Sequence, residues 1–214
     1  MTTRLTRWGH SCVRLDRGDD HLVIDPGGYS DVTGALGGVS AVLVTHEHVD
    51  HLATEPVTAA VHAGLEVWAP QAALDVLVAA GAPTDRLHTV AAGDRFVAGG
   101  FEVAVLGEWH AIVHPDIPRV PNVGYLVDGV LHPGDAFVDA AGAAVRVLLT
   151  PIGGPWLKIS EVIDYVRATA PERTVVIHDG QLAPAGVGLS SMLVGKLGGA
   201  GDPVLLGSGE GLDL

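Results

Sequence analysis

Apolar and polar positions along the chain set out a series of short strands and helices. Apolar residues interleaved with polar ones over Arg4–Leu15 and His21–Asp25 predict two arms of a hairpin turned at "DRGDD". Ala41–Thr45 is apolar at nearly every position, the pattern of a strand covered on both faces. The spacing then predicts a helix over Glu55–Ala63, a short strand at "EVWAP" and a second helix over Gln71–Ala80, closed by Gly81. Further strands are expected at Glu102–Leu106, Val123–Val127, Val130–His132 and Arg146–Thr150, the middle pair turned by "DG". A helix over Lys158–Ala168 stops before Pro171; "TVVIHDG" reads as a strand, Leu189–Leu197 as a helix and "PVLLG" as a last strand. The Gly-rich stretches "GALGGVS" and "GKLGGAGD" read as turns.

A β-rich first half followed by alternating strands and helices suits an α/β fold, a four-layer α/β/β/α sandwich. With 214 residues, one domain over 1–214 is expected. The apolar runs are too short for a membrane span, and the N-terminal stretch has no apolar signal core, so a cytoplasmic protein is expected. Cys12 is the single cysteine, which excludes an internal disulfide and suits a reducing compartment.

Charge narrows the partners. The formal net charge of −13 opposes a nucleic-acid backbone, whose binding is driven by Lys and Arg. A small anionic substrate stays open, because bound cations invert a local potential. Eleven histidines against twelve Lys and Arg direct attention to metal ligands.

The densest group is "THEHVDH", directly after the apolar run. His46 and His48 share one parity on an extended backbone, Asp50 continues it, and His51 joins where the chain turns. Glu47 and Val49 have the opposite parity. Imidazoles and a carboxylate delivered by a rigid strand end are the donors of adjacent sites for Zn²⁺ or a similar ion.

This HxHxDH form resembles the metallo-β-lactamase-fold hydrolases, whose αββα sandwich carries its metals at one end between the sheets. The resemblance implies roles for further positions in chain order. In "LVIDPG", Asp25 would orient a liganding histidine. "VLGEWHAIVHP" supplies His110, "LHPGDAF" supplies Asp135 and "TVVIHDG" supplies His178. The implied set is His46, His48 and His110 on one ion and Asp50, His51 and His178 on the other, with Asp135 and a hydroxide bridging them. His114 competes with His110, but Pro115 and Pro118 oppose a helix that would join the two; His114 then reads as substrate-facing. His132 is an alternative ligand whose place at a strand end favours a supporting role. His10, among apolar neighbours in "RWGHSCVRL", is expected to be buried beneath the site.

Within the fold the chain resembles the short branch that includes the ascorbate-6-phosphate lactonase, through "WGHSCVRL", "LVIDPGG", "NVGYLVDG" and "LHPGD". This implies hydrolysis of an ester, lactone, amide or phosphoester of a small molecule by a metal-bridging hydroxide, with Asp50 orienting the nucleophile and moving a proton. Two divalent ions are implied, Zn²⁺ foremost, with Mn²⁺ or Fe²⁺ accepting the same donors. Trp156 and Lys158 in "PIGGPWLKIS" are candidate substrate contacts, as is Arg119, and homo-oligomers are compatible with the family. Two other readings stay open: a diiron oxidoreductase of the same fold, and a non-catalytic metal-binding or sensor protein.

Overall fold

The computed structural model describes residues 2–214; Met1, where the expected domain begins, lies outside the described residues. Seven strands form one sheet, in the order β13 (Gly211–Asp213), β1 (Arg4–Gly9), β2 (Cys12–Arg17), β3 (Asp20–Ile24), β4 (Ala41–Leu43), β5 (Glu66–Ala69) and β6 (Leu87–Thr89). Six form the other, in the order β12 (Arg173–Ile177), β11 (Val147–Pro151), β10 (Val130–His132), β9 (Gly124–Val127), β8 (Phe101–Leu106) and β7 (Arg95–Ala98). Helices α1 (Val32–Leu36), α2 (Thr54–His62) and α3 (Gln71–Ala79) belong with the first sheet, α4 (Ile159–Thr169) and α5 (Pro184–Gly198) with the second.

Side-chain parity builds these layers. On β3, Leu22 and Ile24 enter the core between the sheets, against Val103, Tyr125 and Leu149, while Val23 faces the helices. On β4, Ala41 and Leu43 face the same inter-sheet core, and Val42, with Val44 just past the strand, packs on the helical side with Val57, Val61, Leu74 and Leu77. That two-sided burial is why the run reads as continuously apolar. Across the second sheet, Leu131 and Leu148 meet Val162, Ile163, Tyr165 and Val166 of α4. The four-layer α/β/β/α sandwich expected from the element order is the observed fold.

Several elements differ from expectation. Arg4–Leu15 is two antiparallel strands, not one arm, because the chain reverses at Gly9 and His10, with φ of 110° and 44°. Gly9 supplies a conformation that side chains disfavour, and a Cβ there would meet the Tyr29 carbonyl at 3.0 Å. The polar "GHS" inside an apolar stretch is therefore a turn, and it carries His10 to the end of the sheet. Part of "GYSDVTGALGG" forms α1, capped by Asp31, whose Oδ1 accepts from the Gly34 amide at 3.0 Å. α5 starts earlier than expected, with Pro184 at its first position, where the missing N–H costs nothing. "PVLLG" makes only an isolated bridge through Val204 to Val175, and the last strand is β13. The edge strands β6 and β7 are short and partly exposed, and had no apolar signature to announce them.

Candidate metal centre

Parallel neighbours end on the same side of a sheet, so the segments leaving β3 and β4 emerge together, as do those leaving β10 and β12. Asp25 follows β3, His46 to His51 follow β4, Asp135 follows β10 and His178 follows β12. The loop after β8 adds His110, and the β1–β2 turn adds His10. Among the described residues, six non-glycine residues have positive φ, and three of them, His10, Asp25 and His178, lie here. Such conformations persist where the surroundings over-determine them, as they do at functional sites. At Gly27, in "DPGG", any Cβ would overlap the Asp50 carbonyl, so only glycine allows this loop to pack on the histidine loop.

Two groups of donor atoms result, each with its atoms within 4.8 Å of one another: His46, His48, His110 and Asp135, and His10, Asp50, His51 and His178. Asp135 joins them. Its Oδ1 lies 3.0 Å from His51 Nε2, and its Oδ2 lies 3.4 Å from His110 Nε2 and 3.1 Å from His178 Nε2. His46 Nε2 and His48 Nδ1 converge to 3.0 Å. Among the described residues, the buried atoms His51 Nε2, Asp135 Oδ1 and both ring nitrogens of His178 have no hydrogen-bond partner. Buried polar atoms are nearly always satisfied, so imidazole and carboxylate donors that converge here without well-aligned hydrogen bonds fit a cation.

The supporting bonds fix which nitrogen faces inward. Asp25, fully buried, accepts from the Thr45 amide and hydroxyl, both at 2.7 Å, and from His51 Nδ1 at 2.6 Å. Since the Thr45 proton goes to Asp25, Thr45 Oγ1 accepts from His46 Nδ1 at 3.0 Å. His110 Nδ1 donates to the Ala111 carbonyl at 2.6 Å. His46 and His110 therefore present a bare Nε2 to the interior, and His51, its Nδ1 tied to Asp25, directs its Nε2 there as well, the arrangement typical of metal-ligating histidines.

Electrostatics follow from this crowding. Burial pushes the His51 pKa down, but the carboxylates of Asp135 and Asp25 outweigh it and hold the ring well above its ordinary range. Burial would raise Asp135; the facing His51, His110 and His178 hold it well below the usual carboxylate range. Asp50 is held at about 2, burial being outweighed by the bond from His10 and the charge of His51. With 14% of its side chain exposed, against 4% for Asp135 and none for Asp25, Asp50 is the most open of the three carboxylates.

Other expected residues fall elsewhere. Trp156, expected to face substrate, is buried, and its Nε1 donates to Asp135 Oδ2 at 2.8 Å. His114 is exposed and accepts from the Asp116 amide at 3.2 Å. Lys158 is exposed and lies 3.9 Å from Glu161. Arg119 donates to the His110 carbonyl at 2.9 Å, with its guanidinium over Trp109. His132 is a brace: its Nδ1 accepts from the Gly134 amide at 3.1 Å and its Nε2 donates to the Ser11 carbonyl at 2.8 Å. Asn122 escapes a sequence reading; its Nδ2 donates to the Pro133 carbonyl at 3.0 Å and its Oδ1 accepts from the Asp135 amide at 2.9 Å. Nothing in "VPNVGY" marks that clamp. Thr45 could have been noticed, since it stands beside the histidine motif.

Comparison with known proteins accords with this geometry. The β-lactamase superfamily domain profile matches residues 4–178. Protein Rv0786c of Mycobacterium tuberculosis is 38% identical over 195 residues, 87% of this chain and 88% of its own. UPF0173 protein PF0020 of Pyrococcus furiosus is 30% identical over 186 residues, 83% of each chain. A homologue in Mesorhizobium japonicum, 28% identical over 117 residues (50% of this chain and 48% of its own), is named a UPF0173 metal-dependent hydrolase. Among solved structures, Igni18, described as a metallo hydrolase of Ignicoccus hospitalis, superposes with a TM-score of 0.74 at 20% identity over 100% of this chain and 99% of its own. YhfI of Bacillus subtilis, described as a metallo-β-lactamase fold protein, gives 0.76 at 15% identity over 100% of both. CmlA of Streptomyces venezuelae, described as a diiron β-hydroxylase, gives 0.73 at 18% identity over 99% of this chain and 54% of its own. The shared fold and the profile match across most of the length place this chain in the β-lactamase superfamily domain family.

Proposed function

We propose that this protein is a metal-dependent hydrolase of a small-molecule ester, lactone, amide or phosphoester, working with two divalent cations in a reducing cytoplasm. The observation that carries the reading is the Asp135 carboxylate, within 3.0–3.4 Å of His51, His110 and His178, which come from both donor groups. In this reading His46, His48 and His110 hold one ion and Asp50, His51 and His178 the other, with Asp135 between them. Such ions, when bound, polarise the scissile oxygen and acidify water. Imidazole and carboxylate donors favour Zn²⁺ and also accept Mn²⁺ or Fe²⁺.

The protein's own groups supply orientation. Asp50, ionised at neutral pH and the most exposed of the three carboxylates, is the acceptor that orients the attacking water and receives its proton. Trp156 and Asn122 fix Asp135, and Asp25 with Thr45 fixes His46 and His51. The resemblance to the lactonase branch puts lactones, with phosphodiesters, among the substrates to screen.

Elemental analysis tests the reading. About two ions per chain are expected, with Asp135→Ala losing metal and hydrolysis together. A wild-type protein that takes up neither Zn²⁺, Mn²⁺ nor Fe²⁺ overturns it. The likeness of fold to CmlA keeps a diiron oxidoreductase as the second reading. Iron as the retained metal, with oxygen consumption and no hydrolysis, would favour that alternative, and metal uptake with neither activity would favour a sensor.

A further inference from the structure

His10 meets the distance requirement for a metal ligand, lying in one donor group with Asp50, His51 and His178. Its hydrogen bonds have the opposite polarity to those of the ligand histidines. The Gly180 amide donates to His10 Nδ1 at 3.1 Å, so that nitrogen carries a lone pair. A neutral ring then carries its proton on Nε2, which faces Asp50 Oδ2 at 3.2 Å. In His46, His51 and His110 it is Nδ1 that carries the proton, outward to Thr45, Asp25 and Ala111.

The surroundings impose this polarity. His10 is almost fully buried, and the segment after β12 holds it at two points. The His178 amide donates to the His10 carbonyl at 3.1 Å, and Gly180 sits against the ring. A Cβ at Gly180 would come within 2.9 Å of His10 Nδ1, so glycine is what lets that amide reach the ring. Arg7, largely buried, pairs with Asp179 between these two contacts. The turn at Gly9 and the left-handed φ of His10 complete a rigid mount.

We propose that His10 is a positioning residue and not a metal ligand: its Nε2–H, fixed by the Gly180 amide, holds one oxygen of Asp50 and turns the carboxylate towards the metal site. The inference rests on the binuclear reading for its purpose, but the polarity of the ring is a property of the metal-free protein. A ligating Nε2 would need a lone pair where the Gly180 contact places a proton. Retaining both would strip the ring of its last proton, and moving the proton to Nδ1 would set two N–H groups against each other.

Two measurements test it. Nitrogen-resolved NMR of the histidine rings in the metal-free protein, assigned by comparison with His10→Gln, should show His10 protonated on Nε2 and bare on Nδ1, with His110 the reverse. Metal titration of His10→Gln and His10→Ala should give the same number of ions per chain as wild type at saturation. The affinity of His10→Ala should fall about 10- to 100-fold, and the amide of His10→Gln should recover most of it. His51→Ala, a proposed ligand, should instead lose an ion. Loss of one ion per chain in His10→Gln, or a His10 ring protonated on Nδ1, overturns the proposal. If His10→Ala does not fold, His10→Gln and the ring spectrum decide. If wild type binds no metal the binuclear reading fails, and the ring spectrum still shows whether His10 is the donor to Asp50.

Discussion

At the scale of single residues, proton placement distinguishes histidines that occur side by side. His132 and His10 accept from backbone amides at Nδ1 and donate from Nε2; His46, His51 and His110 donate from Nδ1. Burial, the leading cause in each case, lowers the pKa of His10, His46, His48 and His132. A folded pKa below the unfolded value of about 6.5 means that, as pH falls through that value, the unfolded chain takes up protons that the folded chain refuses. His51 opposes this: its raised pKa gives stability that is present below about 6.5 and lost as pH rises through the folded value. The depressed pKa of Asp50 and Asp135 removes stability as pH falls below the usual carboxylate range. Four groups outnumber one, so the metal-free protein should lose stability from about pH 6.5 downward, by at most about 1.4 kcal/mol per pH unit for each proton taken up. Urea unfolding at neutral and mildly acid pH checks this; a midpoint that rises on acidification contradicts it.

At the scale of elements, the site depends on ties between strand ends of opposite sheets. Tyr125 on β9 donates to the Val44 carbonyl at 2.9 Å, and the Val123 amide donates to the Thr45 carbonyl at 3.0 Å. The second sheet thus holds the end of β4 from which the histidine motif departs. Asn122, just before β9, clamps the loop after β10 that carries Asp135. Asn122→Ala would leave the Asp135 amide and the Pro133 carbonyl without that partner in a buried place. Each unpaired group costs about 1–3 kcal/mol, so a loss of ~2–6 kcal/mol is expected by chemical denaturation. Metal occupancy should fall as well, because Asp135 loses its anchor. Unchanged stability and occupancy would show the clamp to be dispensable.

At the scale of the whole molecule, the rim of the site is apolar. Val49, Ile112, Tyr29, Ile117 and Trp109 are all about half exposed or more, and lie on the loops that carry or adjoin the ligand-type residues. A cleft of about 30 Å³, lined by Val113, Ile117, Pro118 and Val120 together with Arg119, opens beside His48 and His110. It has room for a water or a methylene, so any larger apolar group would rest on the rim. Of the cations expected to greet an anionic substrate, Arg119 is bonded to the His110 carbonyl and lies over Trp109, whereas Lys158 is exposed, 3.9 Å from Glu161. The apolar rim suits a substrate with an apolar body, and the net charge of −13 disfavours an anion except where bound cations invert the local potential. Across a series of neutral acyl esters or lactones, kcat/KM of the metal-loaded protein should rise with chain length, by up to about fourfold per buried methylene. Ile117→Ser should flatten the rise and leave the shortest substrate unaffected. A rate that depends on substrate charge and not on chain length would restore Lys158 and Arg119 as the relevant contacts. Among the described residues, no helix is long and apolar enough to cross a membrane.

The sequence by itself determined the sandwich and the chemistry of its donors. Strand parity, the two-sided apolar run before Thr45 and the HxHxDH spacing are local properties, set by backbone geometry and legible wherever the chain is read. Asp25, His110, Asp135 and His178 were reachable only in order, through resemblance, because nothing local to "GD" or a single histidine separates a ligand from a surface residue. The tertiary structure decided the rest. It made "GHS" a turn and not a strand interior, buried Trp156 against Asp135, and turned Asn122 and His132 into braces. It also set His10 in the opposite polarity to its neighbours through a glycine 170 positions away. The physical reason is that a histidine's tautomer and a carboxylate's rotamer are fixed by whichever donors and acceptors the packed chain brings against them. Those partners come from loops distant in sequence, so no window along the chain contains them.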